Sequence, residues 1–383
     1  MKSILLTSTA LVAFAGAAAA DGHATGFSFS GDAVLGYTAD SDVNTGPVGT
    51  NAIAGDRFFW ELDIDVAAST ELDNGLTATA EFGFEVVDEN LGQDLVSSDY
   101  VLSVSGESAS LSFGDLDPVA EDRFGGVDGD TTAGFNDQDA HFDVVGFESI
   151  LVGEATFGSF TGAVSFGVDS GDGLLIADVE DLDALQLHIA GTVSILDVEL
   201  AFQDELGAAD SVFGIAASAS VGGADITVSY LDDGTENSTG ISVAYPFGPV
   251  TVEGYYSVND INEDNYGIDV DYSSGPIAVN FFADVDGASD DNPDDLGEDV
   301  TEFGIEGSYD VGNGLELFAG YITTDEDDAF ETTYFAATYD LGGGAEFLFS
   351  YADDGNELAN VTDDEVGDPE YNEGLTVQVS FEF

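Results

Sequence analysis

The chain has 383 residues, with 78 acidic side chains against 3 Lys and Arg, a formal net charge of −75, and no Cys. Nucleic acid is excluded as a partner, because binding its phosphates needs Lys and Arg. The lack of Cys excludes thiolate metal sites, thiol nucleophiles and disulfide staples. With 28 Phe and 14 Tyr the chain is too aromatic for a disordered acidic polymer, yet a tightly packed globule would strain under such self-repulsion. A wide, water-filled structure that spreads the acid resolves that tension.

At the N-terminus Lys2 precedes an apolar stretch from Ile4 to Ala15 and a small-residue run from Gly16 to Ala20. This is the layout of a secretory signal cleaved after Ala20, so residues 1–20 are expected to leave and 21–383 to form the folded unit. Arg57 and Arg123 then remain as the strong bases. After Ala20 no run approaches the roughly 20 apolar residues of a membrane helix.

From Phe27 onward the chain alternates with period two. Phe27, Phe29, Ala33, Leu35 and Tyr37 fall on one face, with Ser28, Ser30, Asp32 and Thr38 on the other. Next, Phe58, Trp60, Leu62, Ile64 and Val66 oppose Arg57, Glu61, Asp63 and Asp65. A third segment sets Leu76, Ala78, Ala80, Phe82, Phe84 and Val86 against Thr77, Thr79, Glu81 and Glu85. Such alternation predicts strands with carboxylates on the watered face. It continues through Leu185–Val193, Phe213–Val221, Val250–Val258, Tyr266–Tyr272, Ile277–Val285, Phe303–Tyr309, Leu315–Tyr321, Glu331–Tyr339 and Ala345–Tyr351.

A soluble sandwich would alternate as well, so connection length decides. Tight turns at Gly106–Ser108, Gly222–Ala224, Pro246–Pro249, Ser273–Gly275, Val311–Gly314 and Leu341–Gly344 are interspersed with longer links. The long ones are Asp40–Asp56, Leu116–Ala140, Asp169–Asp183, Asp286–Asp299 and Asp353–Glu370. Short turns at one rim and long loops at the other define an all-β, antiparallel transmembrane barrel. About twenty strands are expected, or sixteen to eighteen if the short segments Val198–Phe202 and Ile226–Tyr230 are not strands. In the last segment Leu375, Val377, Val379, Phe381 and Phe383 alternate with Thr376, Gln378, Ser380 and Glu382. It looks like the terminal signal by which outer-membrane barrels are recognised for insertion.

Four pieces carry a family resemblance: Phe27-Ser28-Phe29-Ser30-Gly31-Asp32-Ala33, Ala109-Ser110-Leu111-Ser112-Phe113-Gly114-Asp115, Tyr339-Asp340-Leu341-Gly342-Gly343-Gly344-Ala345 and the terminal Ser380-Phe381-Glu382-Phe383. With them the chain resembles general diffusion porins of alphaproteobacteria. The resemblance implies an outer-membrane barrel, usually of about sixteen strands, a homotrimer, and passive passage of small hydrophilic solutes. It also implies that residues 115–141 are the constriction loop folded into the pore, bringing Asp115, Asp117, Glu121, Asp122, Arg123, Asp128, Asp130, Asp137 and Asp139 to the eyelet. Members of the family set a basic wall cluster against such a loop. Here Glu61, Asp63, Asp65, Glu81 and Glu85 stand where bases would be expected, with Arg57 as the inward base. The expectation is a one-signed acidic pore that favours cations.

No cofactor is expected. Asp290, Asp291, Asp294 and Asp295 supply oxygen ligands at close spacing, but match no EF-hand; loose Ca²⁺ or Mg²⁺ condensation on acidic loops is the expectation. Such ions would also bridge to lipopolysaccharide phosphates. His23, His141 and His188 form no catalytic constellation, so no enzyme is expected. Much of the loop acid also reads as plain solvation or a high-salt adaptation. Tyr37, Tyr100, Tyr245, Tyr309, Tyr339, Tyr351, Phe381 and Phe383 fit an interfacial girdle. The rival reading is an acidic secreted or cell-surface protein that binds Ca²⁺ or adheres, which needs neither the rim asymmetry nor the terminal aromatic.

Overall fold

A computed structural model describes residues 25–39, 57–89, 92–96, 100–127, 142, 149–168, 182–204, 211–234, 237–259, 264–287, 300–324, 331–354 and 374–383. The alternating segments are strands β1 (Thr25–Ala39), β2 (Arg57–Glu71), β3 (Thr77–Glu89), β4 (Gly92–Val96), β5 (Tyr100–Ser105), β6 (Ala109–Gly114) and β7 (Ser149–Phe157). They continue as β8 (Phe160–Val168), β9 (Leu182–Val193), β10 (Leu196–Asp204), β11 (Val212–Val221), β12 (Ala224–Asp232), β13 (Asn237–Phe247) and β14 (Val250–Asn259). The last are β15 (Asp264–Ser274), β16 (Ile277–Asp286), β17 (Val300–Gly312), β18 (Leu315–Thr324), β19 (Glu331–Asp340), β20 (Ala345–Asp354) and β21 (Gly374–Glu382).

Each strand pairs antiparallel with its sequence neighbour, and β21 pairs with β1 to close the sheet. β4 and β5 both pair with β3, through Glu85–Glu89 and Thr77–Phe82 respectively, so they make one broken stave. The 21 segments therefore form a 20-stave barrel. That is the top of the expected range, because Val198–Phe202 and Ile226–Tyr230 lie inside the full strands β10 and β12. Closure removes the sheet's free edges, which lipid would not hydrate. Among the described residues no helix is long and apolar enough to cross a membrane.

The two faces follow from register. Phe29 stands opposite Val66, Leu35 opposite Trp60, and Tyr37 opposite Phe58 on one face, while Asp32 stands opposite Asp63 on the other. Burial is inverted relative to a water-soluble protein. Phe58 is 74% exposed and Leu35 57%, whereas Ser165, Gln186 and Ser350 are 0% exposed. Large apolar side chains project outward around the whole sheet, as a lipid-facing surface requires. The anticipated girdle residues Tyr100, Tyr245, Tyr309, Tyr339, Tyr351, Phe381 and Phe383 all belong to that exposed set. The tight turns, from Leu72–Leu76 to Leu341–Gly344, lie at the rim that also holds both ends of the described chain. The longer links leave the opposite rim, which also holds short connections, of two residues between β3 and β4 and of four residues between β12 and β13 and between β14 and β15.

Candidate functional site

Period two and the register put the strand carboxylates on the inner face. Glu61, Asp63 and Asp65 of β2 stand beside Val34, Asp32 and Ser30 of β1. Glu81 of β3 stands between Ala67 and Val101. Glu85 holds a register position opposite Asp63, and Arg57 one opposite Thr38; their side chains lie outside the described set. The same face carries acids not singled out from the sequence, among them Glu154, Asp197, Glu199, Glu253, Asp269, Asp271, Asp284, Glu302, Glu306, Glu316 and Glu346. Among the described side chains, outward register positions take acid only near strand ends, at Asp204, Asp232, Asp264, Glu331 and Asp353.

The chain leaves the wall at Gly114. Its φ of 151° is one that side chains rarely adopt, and a Cβ there would run into the Tyr100 carbonyl. The Asp115 N–H donates to that same carbonyl at 2.9 Å. A single helical turn follows, in which the Asp122 and Phe124 N–H groups donate to the Pro118 and Ala120 carbonyls, both at 3.0 Å. This segment lies on the inner face and is held through its backbone. The Val119 N–H donates to Ser165 Oγ at 3.0 Å, the Ala120 N–H to Gln186 Oε1 at 2.6 Å, and the Val127 N–H to Ser229 Oγ at 3.0 Å. Gln186 in turn donates through Nε2 to the Phe142 carbonyl at 2.6 Å and to Gln203 Oε1 at 2.7 Å. A buried amide that satisfies this many partners fixes the loop more firmly than any surface charge pair would.

Apolar sockets complete the seat. Phe124 packs edge-on against Phe142 with ring centroids 5.3 Å apart, joined by Ala120, Ala201, Val212, Ala216 and Leu231 in one buried cluster. Phe124 lies over Gly214, where an added Cβ would come within 2.6 Å of the ring, and Val127 fills the space over Gly240 in the same way. Val119 joins Ile150, Val152 and Ala163 in a second cluster, with Leu116 against it. Asp115, Asp117 and Asp122 are exposed on this loop and Glu121 is half-buried.

Two bases sit here on wall carboxylates. Arg123 reaches Glu154 Oε2 through Nη1 at 2.6 Å and Asp122 Oδ2 through Nε at 3.2 Å. Burial works to lower the Arg123 pKa, but the hydrogen bonds and charges of Glu154 and Asp122 outweigh it and hold the pKa above its ordinary value. His188 Nε2 lies 2.5 Å from Glu199 Oε1, an oxygen that also accepts the Gly125 N–H at 3.4 Å. Asp128, Asp130, Asp137, Asp139, His23, His141 and the signal segment lie outside the described residues, as do Asp290, Asp291, Asp294 and Asp295. Among the described residues no group of three or more His, Asp or Glu is placed to hold a metal ion.

A family model for Gram-negative porins matches residues 7–360. The chain belongs to the Gram-negative porins. It is an outer-membrane channel for passive diffusion and not an enzyme, and the reading as a surface adhesin falls with that assignment. Among solved structures, variants of the porin of Rhodopseudomonas blastica align over 93% of this chain and 100% of their own. One variant with five substitutions is 15% identical with a TM-score of 0.43, and a triple mutant is 15% identical with a TM-score of 0.41. A comparison with curated proteins gives no match.

Sequence reasoning missed the loop's anchors Ser165, Gln186, Gln203 and Ser229 and its sockets Gly214 and Gly240. One signal was available. From β8 to β13 the inward positions favour uncharged polar and small residues, in a chain whose other inward positions are rich in acid.

Proposed function

We propose that this porin conducts small hydrophilic cations in preference to anions through an acid-lined lumen. The observation that carries the reading is the inner-face register: carboxylates recur from β14 through β17 and again on β1, β2 and β3, while the described bases Arg123 and His188 sit on Glu154 and Glu199. One-signed charge around a water-filled passage concentrates counter-ions and repels co-ions. The Debye length is about 8 Å at 0.15 M salt and about 3 Å at 1 M, so selectivity should be strong in dilute salt and weak in brine. Reversal potentials in a KCl gradient across planar bilayers test this. Preference for K⁺ that shrinks between 0.1 M and 1 M KCl is the expected result (roughly several-fold, from the loss of that range); preference for Cl⁻ overturns it.

Finer parts of the reading stand on the family and on the residues together. Residues 115–141 act as the constriction loop, with Asp115, Asp117, Glu121, Asp122, Arg123, Asp128 and Asp130 at the eyelet opposite Arg57, Glu61, Asp63, Asp65, Glu81 and Glu85. Leu375, Val377, Val379, Phe381 and Phe383 serve as the insertion signal after Sec export and removal of residues 1–20. The working assembly is a homotrimer, checked by cross-linking in detergent. Ca²⁺ or Mg²⁺ held loosely on the acidic loops, Asp290, Asp291, Asp294 and Asp295 included, bridges to lipopolysaccharide. A chelator that lowers thermal stability in native membranes supports that bridging, and indifference to chelator removes it.

A further inference from the structure

Beneath Gly125 and Gly126 of the inner loop the wall is notched. A cleft of about 340 Å³ separates the backbone of Gly125 and Gly126 from the inner face of β9 to β12. It exists because its roof has no side chains and its floor is Ala216. Its size is at the low end of ligand sites, which run to roughly 300–1,000 Å³, so it suits one small solute.

The chemistry of its walls is specific. Asp197, Ser218 and Thr227 stand side by side in one cross-strand row, a carboxylate followed by two hydroxyls. Asp197 is oriented by Thr192, whose hydroxyl donates to its Oδ1 at 2.6 Å. The second wall carboxylate, Glu199, is engaged by His188 and by the Gly125 N–H, so it fixes the roof over the cleft. An oriented acid beside two hydroxyls, under a backbone roof, is complementary to an ammonium group with hydroxyls a few bonds away.

We propose that this cleft is a solute subsite for small hydroxylated ammonium compounds, of the size and chemistry of a protonated amino sugar. The ammonium sits on Asp197 and the solute hydroxyls meet Ser218 and Thr227. The proposal rests on the cation-admitting lumen proposed above, because the solute must first enter it.

Single-channel recording in K⁺ salt with protonated glucosamine as probe and neutral glucose as its isostere tests the subsite. Glucosamine should interrupt the K⁺ current with an apparent dissociation constant at least about tenfold below that of glucose, the size of one charge-assisted hydrogen bond. Asp197→Asn should remove about that tenfold difference, and Ser218→Ala part of it. Gly125→Leu is a separate test. A Cβ at Gly125 meets Glu199 Oε2 at 3.8 Å and nothing nearer, so the backbone accepts a side chain there; a leucine is expected to occlude the cleft, and the interruptions should disappear. Equal effects of glucosamine and glucose, or an unchanged response in Asp197→Asn, overturn the proposal. The reversal potential in the same membranes separates the two readings. Anion preference sinks the cation-selective lumen, whereas K⁺ preference without glucosamine interruptions sinks the subsite alone.

Discussion

The inner wall from β7 to β13 and the inner wall from β14 round to β3 are built from the same alternating strands and do opposite things with their inward positions. The first presents Ser165, Gln186, Ser229, Gly214 and Gly240 to a backbone laid across it; its Glu154 and Glu199 each have a base from the loop or the wall, and its Asp197 and Asp225 accept from the hydroxyls of Thr192 and Ser220. The second sets acid against acid in register: Asp32 opposite Asp63, Glu253 opposite Asp269, Asp310 opposite Glu316, Asp340 opposite Glu346. Like charges directly across a strand pair repel, a cost that water and counter-ions reduce. The second sector is not bare throughout: Phe318, Tyr334, Ala336, Leu348 and Ala352 form a buried cluster on its inner face, and the buried Glu306 accepts a hydrogen bond from the Tyr334 hydroxyl at 2.8 Å. What a strand position is for, therefore, depends on whether protein or solvent lies over it.

Four substitutions would break or sharpen that contrast. Gln186→Leu removes the acceptor for the Ala120 N–H and the donor to the Phe142 carbonyl, leaving buried groups without partners. A loss of about 1–3 kcal/mol in unfolding from detergent is expected, with new protease cleavage between 115 and 127. Gly214→Val places methyl groups where the Phe124 ring lies. Overpacking of about 1–3 kcal/mol should push the loop from its seat, seen as a changed unitary conductance with the barrel still folded. Arg123→Ala should cost less, under about 1 kcal/mol, because its pairs with Glu154 and Asp122 are about one-third or more exposed. Its pKa is raised, so its contribution is complete below the ordinary arginine range and is lost only as pH climbs past the folded value. The measured loss should hence be the same at about pH 7 and pH 10. Smallest, and of opposite sign, Glu253→Gln should stabilise the acidic wall by about 0.2–1 kcal/mol in dilute salt, and by less in 1 M salt. A destabilised Glu253→Gln would show that the acid on that wall is structural.

Much of this was legible beforehand. The alternation around Phe27–Tyr37, Phe58–Val66 and Leu76–Val86 defined both faces, since a residue slip would have put Glu61 and Asp63 into lipid. The break between β4 and β5 was not legible, because Gly92–Val96 and Tyr100–Ser105 read as weak, separate runs until β3 is seen to pair with both. The loop's seat was hidden for a different reason. An inward Gln that holds a loop amide and an inward Gln that faces water occupy identical places in a period-two pattern; only the tertiary contact separates them. Arg123 was the partial exception: its scarcity marked it out as one of the two strong bases after residue 20, and Glu154 of the wall is its partner.

The seam between β1 and β21 has a consequence for how the molecule comes into being. Gly31 and Phe383 exchange backbone hydrogen bonds at 3.1 and 2.9 Å, joining positions from opposite ends of the chain. Such a contact has the longest loop-closure entropy to overcome and no local structure to help it. A ribosome that stops before Gly374 releases a sheet whose β1 and β20 edges have no partner, and neither edge can rest in hydrocarbon. Closure is thus the step that makes a pore: until β21 is seated against both β1 and β20, the wall stays open to lipid.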